Sequence, residues 1–178
     1  MTDPAPLIRL LEPADAAAYH ALRLRGLQDY PHAFTSSVEE EQLRPLSWSQ
    51  VRLAVSPERA HDFFLGAFLG ERLVGIVGLQ GRYRPKERHN ASVVGMLVAP
   101  EAAGRGLGWA LMQALLQRAL LLPSLEQLDL TVTEDNPRAQ ALYERCGFRV
   151  YGVLPAAIKV DGQDYAKVMM ARRLRSSP

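Results

Sequence analysis

Three glycines in five residues, Gly104, Gly106 and Gly108, join an apolar run to the start of an amphipathic helix, and this junction constrains the chain more than any other segment. Upstream, Ala91 to Val98 is nearly all apolar and is stopped by Pro100, which predicts a strand buried on both faces. Downstream, Leu107, Ala110, Leu111, Ala114 and Leu115 recur at helical spacing and predict a helix. Glycines at such a junction let the backbone approach a ligand and adopt conformations closed to other residues. The first N–H groups of the helix lack partners and carry partial positive charge, which suits a phosphate or pyrophosphate. Arg105 would add charge at the rim. Two familiar phosphate loops do not fit. A dinucleotide fingerprint needs its third glycine one residue later, and a Walker loop needs a Gly-Lys-Ser/Thr that is missing here. Tight strand-to-helix packing is the other use such a turn can have.

The rest of the chain supplies partners for this unit. Leu7 to Leu11 predicts a first strand, and Asp15 to Gln28 a helix. Residues 30–45, bounded by Pro31 and Pro45, read as irregular, and the Ser47/Gln50 spacing predicts a short helix starting at Ser47. Phe63 to Leu69 and Leu73 to Leu79 read as a hairpin around Gly70, Glu71 and Arg72. Leu128, Leu130 and Val132 alternate with polar residues as in a strand. Ala139, Leu142, Tyr143 and Cys146 return to helical spacing, with Gly147 placed to end that helix. Two strands close the chain, Phe148 to Leu154 and Gln163 to Leu174, with an Asp161-Gly162 turn before the second. The expected fold is therefore α/β: a mixed sheet of about seven strands with about four helices on its two faces, in a single domain over residues 1–178.

Composition removes several function classes. A formal charge of +2, with no long basic run, gives no reason to expect nucleic acid or a membrane surface as partner. The cluster Arg172, Arg173 and Arg175 reads as the solvated end of the last strand. One cysteine, Cys146, rules out an intramolecular disulfide and reads as a small buried residue rather than a nucleophile. The opening residues have no basic and apolar leader pattern, and no apolar run approaches the roughly 20 residues of a membrane span. A cytoplasmic protein is expected. The four histidines show no metal-ligand spacing, so no metal is expected.

A second motif lies about 30 residues beyond the glycines: Asn136-Pro137-Arg138-Ala139-Gln140-Ala141-Leu142-Tyr143-Glu144-Arg145-Cys146-Gly147-Phe148. With Val98-Ala99-Pro100-Glu101 and the glycine turn, it resembles the acetyl-CoA-binding core of the GNAT family of N-acetyltransferases. That family carries Q/R-x-x-G-x-G/A at the turn and N-x-x-A-x-x-L-Y-x-x-x-G-F on the later helix. The resemblance spans about residues 91–152. One position departs from it, since Ala103 stands where the family has Gln or Arg. Pyrophosphate contacts would then rest on backbone N–H groups of Gly104, Arg105, Gly106, Leu107 and Gly108.

The resemblance implies a reaction: direct transfer of an acetyl group from acetyl-CoA, the co-substrate, to a primary amine in a ternary complex. Backbone groups of Met96, Leu97 and Val98 would hold the pantetheine arm, with Asn136 and Ala139 facing it and Trp109 covering the cofactor edge or simply packing. Tyr143 would protonate the departing thiolate, although its place on an apolar helix face also suits a core tyrosine. The position of the glutamate base found in histone-acetylating relatives falls on Ser92, a poor base. His89 has a suitable pKa range for that role, and an exposed strand-end histidine is its alternative reading. The acidic run Glu39, Glu40 and Glu41 reads as a solvated face. The acceptor is left open between a small-molecule amine and a peptide N-terminus, with small molecules favoured. A homodimer is compatible with the resemblance. Two other readings stand beside the enzyme: a non-catalytic acyl-CoA-binding module, and an α/β ligand-binding domain whose glycine turn is only structural.

Overall fold

A computed structural model describes residues 5–175, so residues 1–4, the start of the stretch read for a leader, lie outside it. Seven strands form one sheet in the order β1-β2-β3-β4-β5-β7-β6. They are β1 (Leu7–Leu10), β2 (Phe63–Leu69), β3 (Arg72–Gly81), β4 (Asn90–Val98), β5 (Gln127–Thr133), β6 (Arg149–Val160) and β7 (Gln163–Arg173). Five α-helices accompany them: α1 (Ala16–Asp29), α2 (Val38–Gln42), α3 (Leu46–Leu53), α4 (Leu107–Leu120) and α5 (Pro137–Arg145). Only β4 and β5 pair in parallel, because α4 carries the chain back between them. The tight hairpins follow from their turn residues. Asp161 and Gly162 have φ of 50° and 80°, the mirror-image turn whose twist matches two antiparallel strands.

Side-chain alternation along the sheet sorts the core into two layers. Phe63, Leu65 and Ala67 of β2 face α4, where Leu111, Met112 and Leu115 are fully buried. Phe64 and Phe68 point the other way, against Tyr19 and Leu22 of α1 and Leu53 of α3. Burying each large apolar side chain is worth roughly 1.5–3 kcal/mol, so both faces are needed to hold the sheet.

β4 departs from the expected strand buried on both faces. Its burial alternates and then loosens, because a bulge interrupts it: the register with β3 shifts between Ile76 and Gly78, and Gly95 adopts φ +63°. A bulge moves every later residue to the opposite face. Thus Ala91 and Val93 belong to the α4 layer, whereas Leu97 belongs to the α1 layer.

Three further expectations are corrected. Residues 30–45 contain a helix, α2, because Ser37 and Glu40 form a reciprocal capping box that starts it. α3 begins at Leu46 with Pro45 at its N-cap, and the Ser47 hydroxyl caps nothing. The arginine cluster at the chain's end is not simply solvated. Arg172 donates to the Cys146 carbonyl at 2.5 Å and Arg175 to the Leu120 carbonyl at 2.5 Å, so each cation sits at a helix C-terminus, where the dipole favours it. Among the described residues no helix is long and apolar enough to cross a membrane.

Candidate active site

The parallel pair β4 and β5 is joined over only three residues, Asn90, Ala91 and Ser92 opposite Gln127, Leu128 and Asp129. Beyond that point β4 follows its bulge along β3, while β5 stays with β7 as far as Thr133 opposite Lys167. The edge of β4 that faces β5 therefore has no strand partner past Ser92. A cavity of ≈ 380 Å³ occupies the gap. Val93, Val94, Gly95 and Met96 form one wall, and Thr131, Val132 and Thr133 the other. Asn136, Ala139, Leu142 and Tyr143 close it on the α4–α5 side of the sheet. Arg23 of α1, Arg52 of α3 and the loop residues Phe34 to Ser36 line the opposite side. The cavity is thus lined from both faces of the sheet.

The glycine turn leads into α4 beside the α4–α5 side of the cavity. Gly104 and Gly106 have φ of +80° and +72°, and nothing lies within 4 Å of a Cβ built on either. Their need is for the left-handed backbone alone, not for relief of crowding. Gly106 caps α4 without any side chain, its carbonyl accepting from the Ala110 N–H at 3.0 Å. The N–H groups of Leu107, Gly108 and Trp109 precede the first helical bond. Ala103, Gly104, Arg105 and Gly106 are exposed, whereas Leu107 is buried. A Cβ on Gly108 would stand 3.3 Å from Leu142 Cδ2 and 3.5 Å from Met96 Cε, so the first turn of α4 touches the cavity wall. Trp109 is half-buried beneath the Arg145 guanidinium, 4.6 Å from its ring centre, and does not line the cavity.

α5 presents two groups to the gap. Asn136 Oδ1 accepts from the Ala139 N–H at 3.1 Å, and Pro137 follows at the first helical position, so one side chain both starts the helix and lines the cavity. Tyr143 is 7% exposed and packs edge-on to Phe148 at 6.2 Å, while still lining the cavity. Burial pushes its phenol well above the ordinary value, with the nearby Cys146 adding to the rise. Burial also raises the Cys146 thiol, which keeps it an inert core residue.

Of the residues expected along β4, Met96 lines the cavity, Leu97 turns away to fill the space beside Gly26 of α1, and Val98 packs between the two core layers. His89 is not brought to the cavity. It lies about 13 Å back along the strand from Val93, at roughly 3.3 Å per residue. There its carbonyl accepts from Glu126 and Gln127 at 2.9 and 3.1 Å, and β4 and β5 are still stitched together, leaving no gap for a substrate. The acidic run also divides. Glu41 is fully buried, 2.9 Å from Arg23 Nε, whereas Glu39 and Glu40 are exposed.

Residues not singled out from the sequence complete the site: Arg23, Arg52, Gln80 and Lys167 line the cavity from four different elements. Lys167 alone left a trace, a cation inside an otherwise apolar stretch of β7. Its Nζ donates to Thr35 Oγ1 at 2.5 Å, and burial lowers its pKa. Among the described residues no group of three or more His, Cys, Asp or Glu could hold a metal ion.

Comparison with known proteins agrees with this geometry. A spermidine N(1)-acetyltransferase of Vibrio cholerae is 31% identical over 75 residues, a segment that spans 42% of this chain and only 43% of that relative. The structure is similar to a GNAT-family acetyltransferase from Streptococcus pneumoniae, with TM-score 0.84, 25% identity and coverage of 95% of this chain and 99% of that one. The protein yncA of Salmonella typhimurium, solved with its cofactor acetyl-CoA, shares the fold at TM-score 0.79 and 18% identity, over 98% of this chain and 96% of that one. The model of the acetyltransferase (GNAT) family matches residues 25–148, which hold the parted strands, the glycine turn and the whole helix bearing Tyr143, and the chain belongs to that family.

Proposed function

We propose that this protein transfers an acetyl group from acetyl-CoA to an amine by direct attack in a ternary complex. The observation that carries the reading is a cavity lined from both faces of the sheet, with Tyr143 and the first turn of α4 on one side and Arg23 and Arg52 on the other. In this reading the N–H groups at the start of α4 bind the pyrophosphate, and the unpaired edge of β4 from Val93 to Met96 holds the pantetheine arm as a strand partner would. Asn136 and Ala139 face that arm from α5.

The acceptor enters from the α1–α3 side as the free amine, its ammonium proton having passed to solvent before it enters. Its nitrogen lone pair attacks the acetyl carbonyl carbon, the C–N bond forms, and the C–S bond breaks. The thiolate takes the Tyr143 phenolic proton, and the tyrosinate regains one from the acceptor nitrogen, which carries an extra proton after the attack and loses it as the neutral amide forms. Burial keeps the Tyr143 phenol protonated across the neutral range, as a general acid requires. The same dry pocket disfavours the thiolate, which draws the proton toward sulfur despite the phenol's raised pKa.

The test is thiol release from acetyl-CoA across a panel of amines, wild type against Tyr143→Phe. The expected result is amine-dependent release that falls at least ~10-fold in the variant, or about 1.4 kcal/mol of barrier, with acetyl-CoA affinity little changed. A second reading, an acyl-CoA-binding module without turnover, is favoured by one observation: among the described residues, neither carboxylate nor imidazole lines the cavity. Acetyl-CoA binding without release for any amine would select it.

A further inference from the structure

The charged side chains that line the cavity are Arg23, Arg52 and Lys167, all cationic. Whether they repel or attract an acceptor depends on which of them the protein already neutralises. Arg23 is neutralised. Its Nε lies 2.9 Å from Glu41 Oε2, its Nη2 donates to Ser36 Oγ at 3.1 Å, and Glu41 is fully buried beneath it. This pair belongs to the wall.

Arg52 is held differently. Its Nε donates to the Tyr19 hydroxyl at 3.0 Å, and its guanidinium lies over the rings of Trp48 and Phe64, 5.0 and 4.8 Å from their centres. These neutral groups fix its direction and leave its charge in place, with no carboxylate partner among the described residues. Asp62, which lines an adjoining cavity together with Arg52, is taken by Arg59 at 2.6 Å and by the Gly81 N–H at 2.7 Å. Lys167, on the far wall, is likewise tied only to a hydroxyl, that of Thr35. A cavity whose unpaired charges are all of one sign draws in ligands of the other, so these two cations favour an anionic group. Arg52 and Gln80 also line an adjoining cavity of ≈ 270 Å³ walled by Trp48, Phe64 and Leu79, so the arginine stands where the acceptor side widens.

Building on the acetyltransferase reading, we propose that the acceptor is an amine bearing an anionic group, a carboxylate above all, which pairs with Arg52 and is drawn in by Lys167. A planar guanidinium already fixed by ring stacking presents its remaining N–H groups as a fork that a carboxylate matches with two bonds. The same two charges repel a polyamine. The side chain of such an acid would lie in the adjoining cavity over Trp48.

The experiment measures kcat/KM for α-amino acids, their carboxamides and spermidine, each expressed per concentration of unprotonated amine so that differing amine pKa values cancel. Acids are expected to exceed their amides by at least about 10-fold, with spermidine slowest. Arg52→Gln should bring the acid-to-amide ratio toward one by raising KM for the acid while KM for acetyl-CoA holds, and Arg52→Lys should restore part of it. Lys167→Met gives a second measure on another element, should Arg52→Gln fail to fold. Amides or spermidine turning over as well as the acids in wild type would overturn the inference and leave the acetyltransferase reading intact. So would an unchanged ratio in the folded variants. Absence of thiol release with any amine would overturn that reading, and this inference with it.

Discussion

Ser92 and Asp129 face each other across the last paired rung of β4 and β5, and the Ser92 hydroxyl donates to Asp129 Oδ1 at 2.5 Å. Arg82 holds the other carboxylate oxygen. The strands are therefore clamped at the point from which they diverge. Ser92→Ala should cost about 1 kcal/mol in a urea titration, and Asp129→Ala about 1–3 kcal/mol because two donors lose their acceptor. Equal stabilities in wild type and Asp129→Ala would show the clamp to be ornamental.

The glycine turn separates backbone strain from ligand binding. Gly106→Ala forces a Cβ onto φ +72° and should destabilise by roughly 1–2 kcal/mol. Gly70→Ala imposes similar strain at φ +60°, in the β2–β3 turn, where no ligand is proposed. Both variants should therefore lose similar melting stability, while only Gly106→Ala raises KM for acetyl-CoA. A rise of equal size in both would remove the turn from the binding site.

Thr133 ties the acceptor side together. It is 2% exposed, and its hydroxyl donates to the His32 carbonyl at 2.7 Å, joining the end of β5 to the loop that carries Phe34, Thr35 and Ser36. Thr133→Val keeps the shape and leaves that carbonyl without its donor, at a cost of about 1–3 kcal/mol. Amide exchange over residues 30–37 should quicken and KM for the acceptor should rise, with acetyl-CoA binding retained.

Acid should loosen the junction between α1 and the glycine turn through Glu101. A hydrogen bond from Arg25, with Arg72 also near, holds its carboxyl down to about 2. A depressed pKa means that the stabilisation is fully present above the ordinary glutamate value of 4.5 and is lost as the pH falls through about 2. Glu101→Gln should therefore melt below wild type at about pH 6 and converge with it near pH 2. A gap that persisted at the acid end would mean packing, not charge, is what Gln disturbs.

Much of this was written locally. The helix stripe from Leu107 to Leu115, the alternation in β5 and the Asp161-Gly162 turn are short-range patterns, and each element formed where its pattern lay. The Ser37/Glu40 capping box is equally local, but Pro31 and Pro45 on either side mask it as an irregular segment. The Ser47/Gln50 spacing has no capping role, since Pro45 already stands at the N-cap of α3. The β4 bulge left only Gly95 as a trace, which an apolar run conceals.

The sequence by itself determined the strand and helix order, the glycine turn at the head of α4 and the Asn136–Tyr143 spacing, because each depends on residues within a few turns of one another. Only the tertiary structure decided what stands opposite them. His89 is adjacent to β4 in sequence yet lies outside the cavity, whereas Arg52 and Lys167, from α3 and β7, enter it. Side chains far apart in the chain meet where two strands part, and that parting depends on a bulge, a clamp and the pairing of β5 with β7, none of which is a property of any single segment.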